Sequence, residues 1–191
     1  DFALGSTGAG FGATTADLKG GLGSASATTP GGIRVGALAA VNAAGSAVIG
    51  GGPHFWAGAC ERDGEYGGRG LPASVAPQAL SYRAKGQPGE NTTLVVVATD
   101  ATLTKAQTRR LAIMAQDGLA RALRPVHTPL DGDIVFAAAT CAGPVPDPIH
   151  GLAEIGTLAA DVVARAIARG VYEARAMAFP GAQPSWRDRF G

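Results

Sequence analysis

Residues 89–100 read GENTTLVVVATD, and the role of Asn91, Thr92 and Thr93 at the head of this run decides how the chain is read. Residues 93–99 are continuously apolar and rich in β-branched side chains, which predicts a core strand buried on both faces. The Asn-Thr pair stands at its mouth, where a loose Pro/Gly segment ends. Three readings compete. Thr92 is an ordinary β-former capping the strand; or N-x-T is a glycosylation sequon, although no secretory pattern accompanies it; or Thr92 is a nucleophile released as a chain terminus. The third reading draws on a preceding segment flexible enough to be cut and a strand rigid enough to fix the new end. Cleavage between Asn91 and Thr92 would set an α-amine of pKa about 7.7–8.0 beside the hydroxyl. A threonine paired with its own amine is a known form of activated nucleophile.

Upstream, residues 1–29 form a small-residue region with a single cation, Lys19. Residues 33–41 (IRVGALAAV) predict a largely buried strand ending at Asn42, and residues 46–49 a possible partner. Residues 50–91 repeat Gly and Pro without a sustained period, and 71–90 read as a surface loop or linker. Downstream, Thr104 is a helix N-cap with Gln107 three residues on, a capping box. Leu111, Ala115, Leu119 and Leu123 continue that helix on one stripe until Pro125. Asp133 leads into a second apolar strand, residues 134–139. A long helix follows from about Leu152, with Ile155, Ala159, Val163 and Ile167 on the same face. The tail from Phe179 is turn-rich and reads as an extended arm. The mixture predicts a layered α/β domain, and element order alone leaves a doubly wound sheet and a pair of sheets between helix layers both open.

Composition sets the bounds. The 191 residues fit one domain, residues 1–191, with enough chain for a substantial core. Hydrophobic residues make up 46%, aromatics 6%, and there are 29 glycines, a balance that predicts closely packed backbone layers and tight turns. A net charge of +1 without a basic block gives no support for nucleic acid or an anionic membrane surface as partner. No segment reaches the roughly 18 uninterrupted apolar residues of a membrane span. Cys60 and Cys141 are widely separated, which argues against a disulfide or zinc framework and predicts a reducing, cytoplasmic setting. No signal peptide is visible and the first residue is Asp1, so a longer precursor is expected.

The remaining candidates each have a bland reading beside the chemical one. Asp131-Gly132-Asp133 places two carboxylates on one side of an extended backbone at a sheet end, or forms a solvated turn. No calcium-loop pattern follows it. Lys19 is a site cation or an exposed loop lysine, and Asn42 caps a turn or donates to an oxyanion. His54, His127 and His150 lack metal-ligand spacing and read as structural. The run Gly8-Ala9-Gly10-Phe11-Gly12 invites a phosphate-loop reading, but no long strand precedes it and no Gly-Lys-Ser/Thr follows.

Taken together, residues 91–101 (NTTLVVVATDA), 103–107 (LTKAQ), 127–137 (HTPLDGDIVFA) and the weaker GGLGSAS at 20–26 resemble the DmpA-like family. This is the L-aminopeptidase/D-esterase and β-aminopeptidase group of self-cleaving N-terminal-nucleophile hydrolases. A threonine after Asn91, with the Asp-Gly-Asp pair, looks most like its nylon-oligomer hydrolase (NylC-type) branch. The resemblance spans nearly the whole chain and the C-terminal half or so of a family precursor. It implies an αββα four-layer sandwich, with 1–91 ending a large subunit and 92–191 forming a small one after cleavage at Asn91/Thr92. It implies a homo-oligomer, often a tetramer, and no metal or organic cofactor. Carried over by position, Thr92 is nucleophile and, through its amine, general base. Lys19 and Asn42 line the site, and Asp131 and Asp133 orient Thr92 and hold Lys19. Expected substrates are small amides: linear 6-aminohexanoate oligomers, which the threonine signature favours, or peptides with N-terminal β- or D-amino acids. Two alternatives stand beside this: an acyltransferase of the ornithine-acetyltransferase type, and a nucleotide-binding module using the GAGFG loop.

Overall fold

The computed structural model describes residues 2–86, 90–145 and 147–191. Four strands, β1 (Gly21–Thr28), β2 (Arg34–Asn42), β3 (Thr92–Ala101) and β4 (Ile134–Gly143), form one sheet in the order β1-β2-β3-β4. β2 runs antiparallel to both β1 and β3, whereas β4 is parallel to β3. A parallel pair needs a crossover. It is supplied by α1 (Lys105–Ala115) and α2 (Asp117–Ala122). Helix α3 (His150–Tyr172) follows β4, and α4 (Trp186–Phe190) ends the chain.

The capping box forms as predicted: Thr104 accepts from the Gln107 N–H, and the Gln107 side chain returns to the Thr104 N–H. The single helix expected through Leu123 is instead two, meeting at Gln116. Leu111, Ala115, Leu119 and Leu123 are nonetheless all buried, as one stripe would bury them. Residues 46–49 form no strand. They make only isolated bridges, Ser46 to Arg124 and Val48 to Phe55. The tail is not a simple extended arm, since Trp186 in α4 packs on Phe55 and Tyr172, with ring centroids 5.8 Å and 5.0 Å away.

Strand β1 arises where no strand is predicted, because GLGSASAT has none of the large β-formers that mark one. Its small residues answer to α3. A Cβ on Gly23 would come within 1.9 Å of the Ala166 carbonyl oxygen, and one on Gly21 within 2.3 Å of that of Gly170. Helix backbone therefore rests directly on strand backbone, which only glycine permits. The core lies between this face of the sheet and the helices, with Val35, Val41, Val95, Val97, Leu111, Leu119, Ile155, Val163 and Ile167 buried in one cluster. Each such side chain contributes about 1.5–3 kcal/mol by leaving water.

Burial along β3 corrects the expectation of a strand covered on both faces. Thr93, Val95, Val97 and Thr99 are buried, while Leu94, Val96 and Ala98 are exposed. With Leu38, Ile134 and Phe136, which is 54% exposed, they make an apolar outer sheet face. The unbroken apolar run thus belongs to a strand whose second face is apolar but not covered by the described residues. In an αββα sandwich that face meets the other sheet, and the described residues form one sheet and one helical layer.

Candidate active site at the head of β3

The strand register brings the predicted residues to one end of the sheet. Thr92 opens β3 directly opposite Asn42, the last residue of β2. On the other side Asn91 bridges Asp131 in parallel pairing, just before β4 begins. Asn42, Asn91-Thr92 and Asp131-Gly132-Asp133 therefore lie side by side, although they are far apart in sequence.

The Asn91 carbonyl oxygen is the focus. It accepts the Gly132 N–H at 2.8 Å and the Thr92 hydroxyl at 2.6 Å. One donor is a fixed backbone group aimed where negative charge would develop if that carbonyl were attacked. The other is the neighbouring hydroxyl itself. Gly132 also leaves the hydroxyl its room, because a Cβ there would lie 2.8 Å from Thr92 Oγ1.

Both carboxylates splint this arrangement. The Asp133 side chain is only 2% exposed and accepts the Thr93 N–H at 2.8 Å, with His127 Nδ1 at 3.0 Å from its other oxygen. Asp131 accepts the Ala44 N–H at 2.9 Å and the Thr128 hydroxyl at 2.8 Å. Asp131 thus ties the segment before β4 to the chain just beyond β2, and Asp133 ties it to β3. His127, read from sequence as a structural histidine, belongs to this cluster. Its presence inside the HTPLDGD stretch is the signal that could have marked it.

Lys19 is 2% exposed and directs its ammonium to three carbonyl oxygens, those of Gly10 (2.8 Å), Ala13 (2.5 Å) and Gly20 (2.9 Å). Three donors meet three acceptors, so the expected carboxylate hold on Lys19 does not form. The ammonium is satisfied by main chain before it reaches Asp131 or Asp133. The lysine that does reach Asn42 is Lys85, which sequence reading left in a featureless loop. Its Nζ donates to Asn42 Oδ1 at 3.1 Å and to Thr14 Oγ1 at 2.7 Å.

Burial, with the nearby Lys85 charge, pushes the Lys19 pKa from 10.5 down to about 8. Below pH 8 the folded chain carries the full cost of that buried charge. Between about 8 and 10.5 the unfolded chain keeps the proton that the folded chain has released, so this residue's contribution to stability rises with pH. Urea midpoints of the wild type, referenced to Lys19→Met, are expected to climb across that window. Two parallel pH curves would contradict the shift.

The glycine run at 8–12 does not form a phosphate loop. Gly8–Gly10 is one 3-10 turn placed ahead of β1, where a nucleotide motif needs a strand before it. The Gly10 carbonyl is occupied by Lys19. A cavity lined by Thr29, Ile33, Asp147, His150 and Glu154 lies at the opposite end of the strands from Thr92 and takes no part in this site. Cys60 and Cys141 are free thiols. Among the described residues no helix is long and apolar enough to cross a membrane.

The fold is that of the N-terminal-nucleophile hydrolases. A Burkholderia sp. β-aminopeptidase structure aligns over 96% of this chain and 50% of its own, with TM-score 0.63 and 26% identity. The L-aminopeptidase D-Ala-esterase/amidase of Ochrobactrum anthropi, described as a prototype for the serine aminopeptidases and a variant of the Ntn hydrolase fold, aligns over 94% of this chain and 47% of its own. Its TM-score is 0.63 and its identity 27%. The chain belongs to peptidase family S58, whose family model matches residues 1–183. It is 43% identical to an uncharacterized aminopeptidase of Mycobacterium tuberculosis, matching all of this chain and 58% of that protein. A Mycobacterium leprae counterpart is 41% identical over 94% of this chain and 54% of its own length. The chain therefore spans somewhat over half the length of the mycobacterial relatives it matches.

Proposed function

We propose that this chain carries the cleavage junction and the nucleophile of a self-processing N-terminal-nucleophile amidase, with scission between Asn91 and Thr92. The observation that carries the reading is the Asn91 carbonyl, contacted at once by the Thr92 hydroxyl and by the Gly132 N–H. In processing, Thr92 Oγ1 bonds to the Asn91 carbonyl carbon as the Asn91–Thr92 C–N bond breaks. The hydroxyl proton ends on the Thr92 nitrogen. Water then hydrolyses the ester, leaving an Asn91 carboxylate and restoring the hydroxyl beside a free amine. In turnover that amine accepts the hydroxyl proton as Thr92 attacks a substrate carbonyl, and water releases the acyl group. Asn42, opposite Thr92, donates its side-chain N–H to the oxyanion, and Asp131 and Asp133 hold the segment that fixes the nucleophile. Lys19 braces the wall behind Asn42 through the carbonyls it binds.

The substrates we propose are small amides with a free amino terminus, in keeping with the aminopeptidase names of the relatives. Peptides with N-terminal β- or D-amino acids come first, and linear 6-aminohexanoate oligomers second, on the strength of the threonine after Asn91. A cytoplasmic, oligomeric enzyme, a tetramer of processed large (ending at 91) and small (92–191) subunits, completes the proposal. Acyl transfer to an added amine in preference to water would instead favour the acyltransferase reading.

Intact-mass measurement of the purified protein tests the core of this. Two fragments meeting at Asn91/Thr92, with Thr-Thr-Leu-Val as the new terminal sequence, are expected. An undivided chain under maturing conditions would refute it.

A further inference from the structure

Asn42 has two polar ends, and the partners decide which is which. One end receives the Thr14 N–H at 3.1 Å and the Lys85 ammonium at 3.1 Å. Neither of these groups can accept a hydrogen bond, so that end is the oxygen. The amide nitrogen is thereby turned the other way, where it donates to the Glu90 carbonyl at 3.0 Å, one residue before Asn91. Of these two donors Lys85 is the charged one, and it is itself well anchored. Its main-chain N–H donates to the Ala44 carbonyl at 3.0 Å, and its own carbonyl accepts Asn91 Nδ2 at 3.2 Å. The ammonium is held between two neutral oxygens, those of Asn42 and Thr14. Burial lowers its pKa, against the opposing pull of the Asp131 and Glu90 carboxylates.

We propose that Lys85 is a positioning residue for this chemistry: its ammonium holds the Asn42 amide in the orientation that turns Nδ2 toward the main chain at Glu90, one residue before the Asn91–Thr92 junction. The inference rests on the proposed function, in which Asn42 donates to the reacting carbonyl. Without the ammonium, one neutral N–H from Thr14 remains on Oδ1. The flipped amide, which would present an oxygen where a donor is needed, then becomes populated. A charged hydrogen bond of this kind corresponds to a factor of roughly ten to a hundred in such an equilibrium.

The test follows the rate of splitting at Asn91/Thr92 by mass in the whole protein, with thermal midpoints recorded alongside. Lys85→Met is expected to slow splitting about ten- to a hundredfold, with Lys85→Arg recovering much of the loss. In an Asn42→Ala background, Lys85→Met is expected to cause no further slowing, because its effect passes through the amide. If the methionine variant loses its thermal transition, Lys85→Gln, which keeps a neutral donor, is read in its place by the same criteria. A lysine variant that splits at the wild-type rate overturns the inference. So does one whose full penalty persists without the Asn42 amide. A wild-type chain that never splits refutes the proposed function, and this inference falls with it; a wild-type chain that splits alongside an equally fast Lys85→Met refutes this inference alone.

Discussion

Thr92→Ala is expected to leave one undivided chain and to lower amide hydrolysis by about a thousandfold or more. The expectation comes from position rather than residue type. Thr92 Oγ1 lies 2.6 Å from the Asn91 carbonyl oxygen, and alanine removes that hydroxyl while keeping the strand start. Loss of a nucleophile removes the covalent route entirely, and what activity is left comes from binding and oxyanion contacts alone. Thr92→Ser keeps the hydroxyl and is expected to split and to turn over. Mass spectrometry reads the first effect and release of amine from a β-aminoacyl amide the second. An alanine variant that still divides at this bond would transfer the chemistry to another residue.

Gly132→Ala has the next largest expected effect, and it tests space rather than backbone freedom. Gly132 is outside the left-handed region, so alanine adopts the same backbone without strain, but its Cβ would stand 2.8 Å from Thr92 Oγ1 and 3.6 Å from the Asn91 carbonyl oxygen. The first contact is closer than packed atoms allow. Either the hydroxyl rotates away from the carbonyl or the segment bearing the Gly132 N–H withdraws, and both loosen the two-donor arrangement. Displacement on the order of 1 Å in reacting groups can cost about a hundredfold in rate. Splitting is expected to slow by that order, with a thermal midpoint close to that of the wild type. Undiminished splitting in Gly132→Ala would show that the hydroxyl does not work from the place it occupies in the intact chain.

Much of the scaffold was legible from local pattern. The β-branched run at 93–99, the Thr104/Gln107 cap and the Leu111-to-Leu123 stripe each report a local preference that packing then respects. Strand β1 was not legible. Its evidence is the absence of side chains, and that absence acquires meaning only when the backbone of α3 rests on Gly21 and Gly23. The two-faced burial predicted for β3 failed for a related reason: an apolar run specifies that a face avoids water, not what covers it.

The site divides in the same way. Thr92, Asn42 and the Asp-Gly-Asp segment were recognisable as residue types in a pattern, and the register of β2, β3 and β4 brings them together. Which lysine serves Asn42 was not recognisable. Lys19 stands out in sequence as the one cation of residues 1–29, yet main-chain carbonyls take all its donors. Lys85 sits in an unremarkable loop and meets Asn42 from 43 residues away.

What the sequence alone determined, then, is the strand that Thr92 heads and the helical stripe from Leu111 to Leu123 that packs into the same core, since these depend on neighbours along the chain. The partners of each charge, and the carbonyl on which Thr92 and Gly132 converge, were decided only by the tertiary structure. A buried polar group must be satisfied by whatever the fold brings within about 3 Å, and that distance has no counterpart in sequence separation.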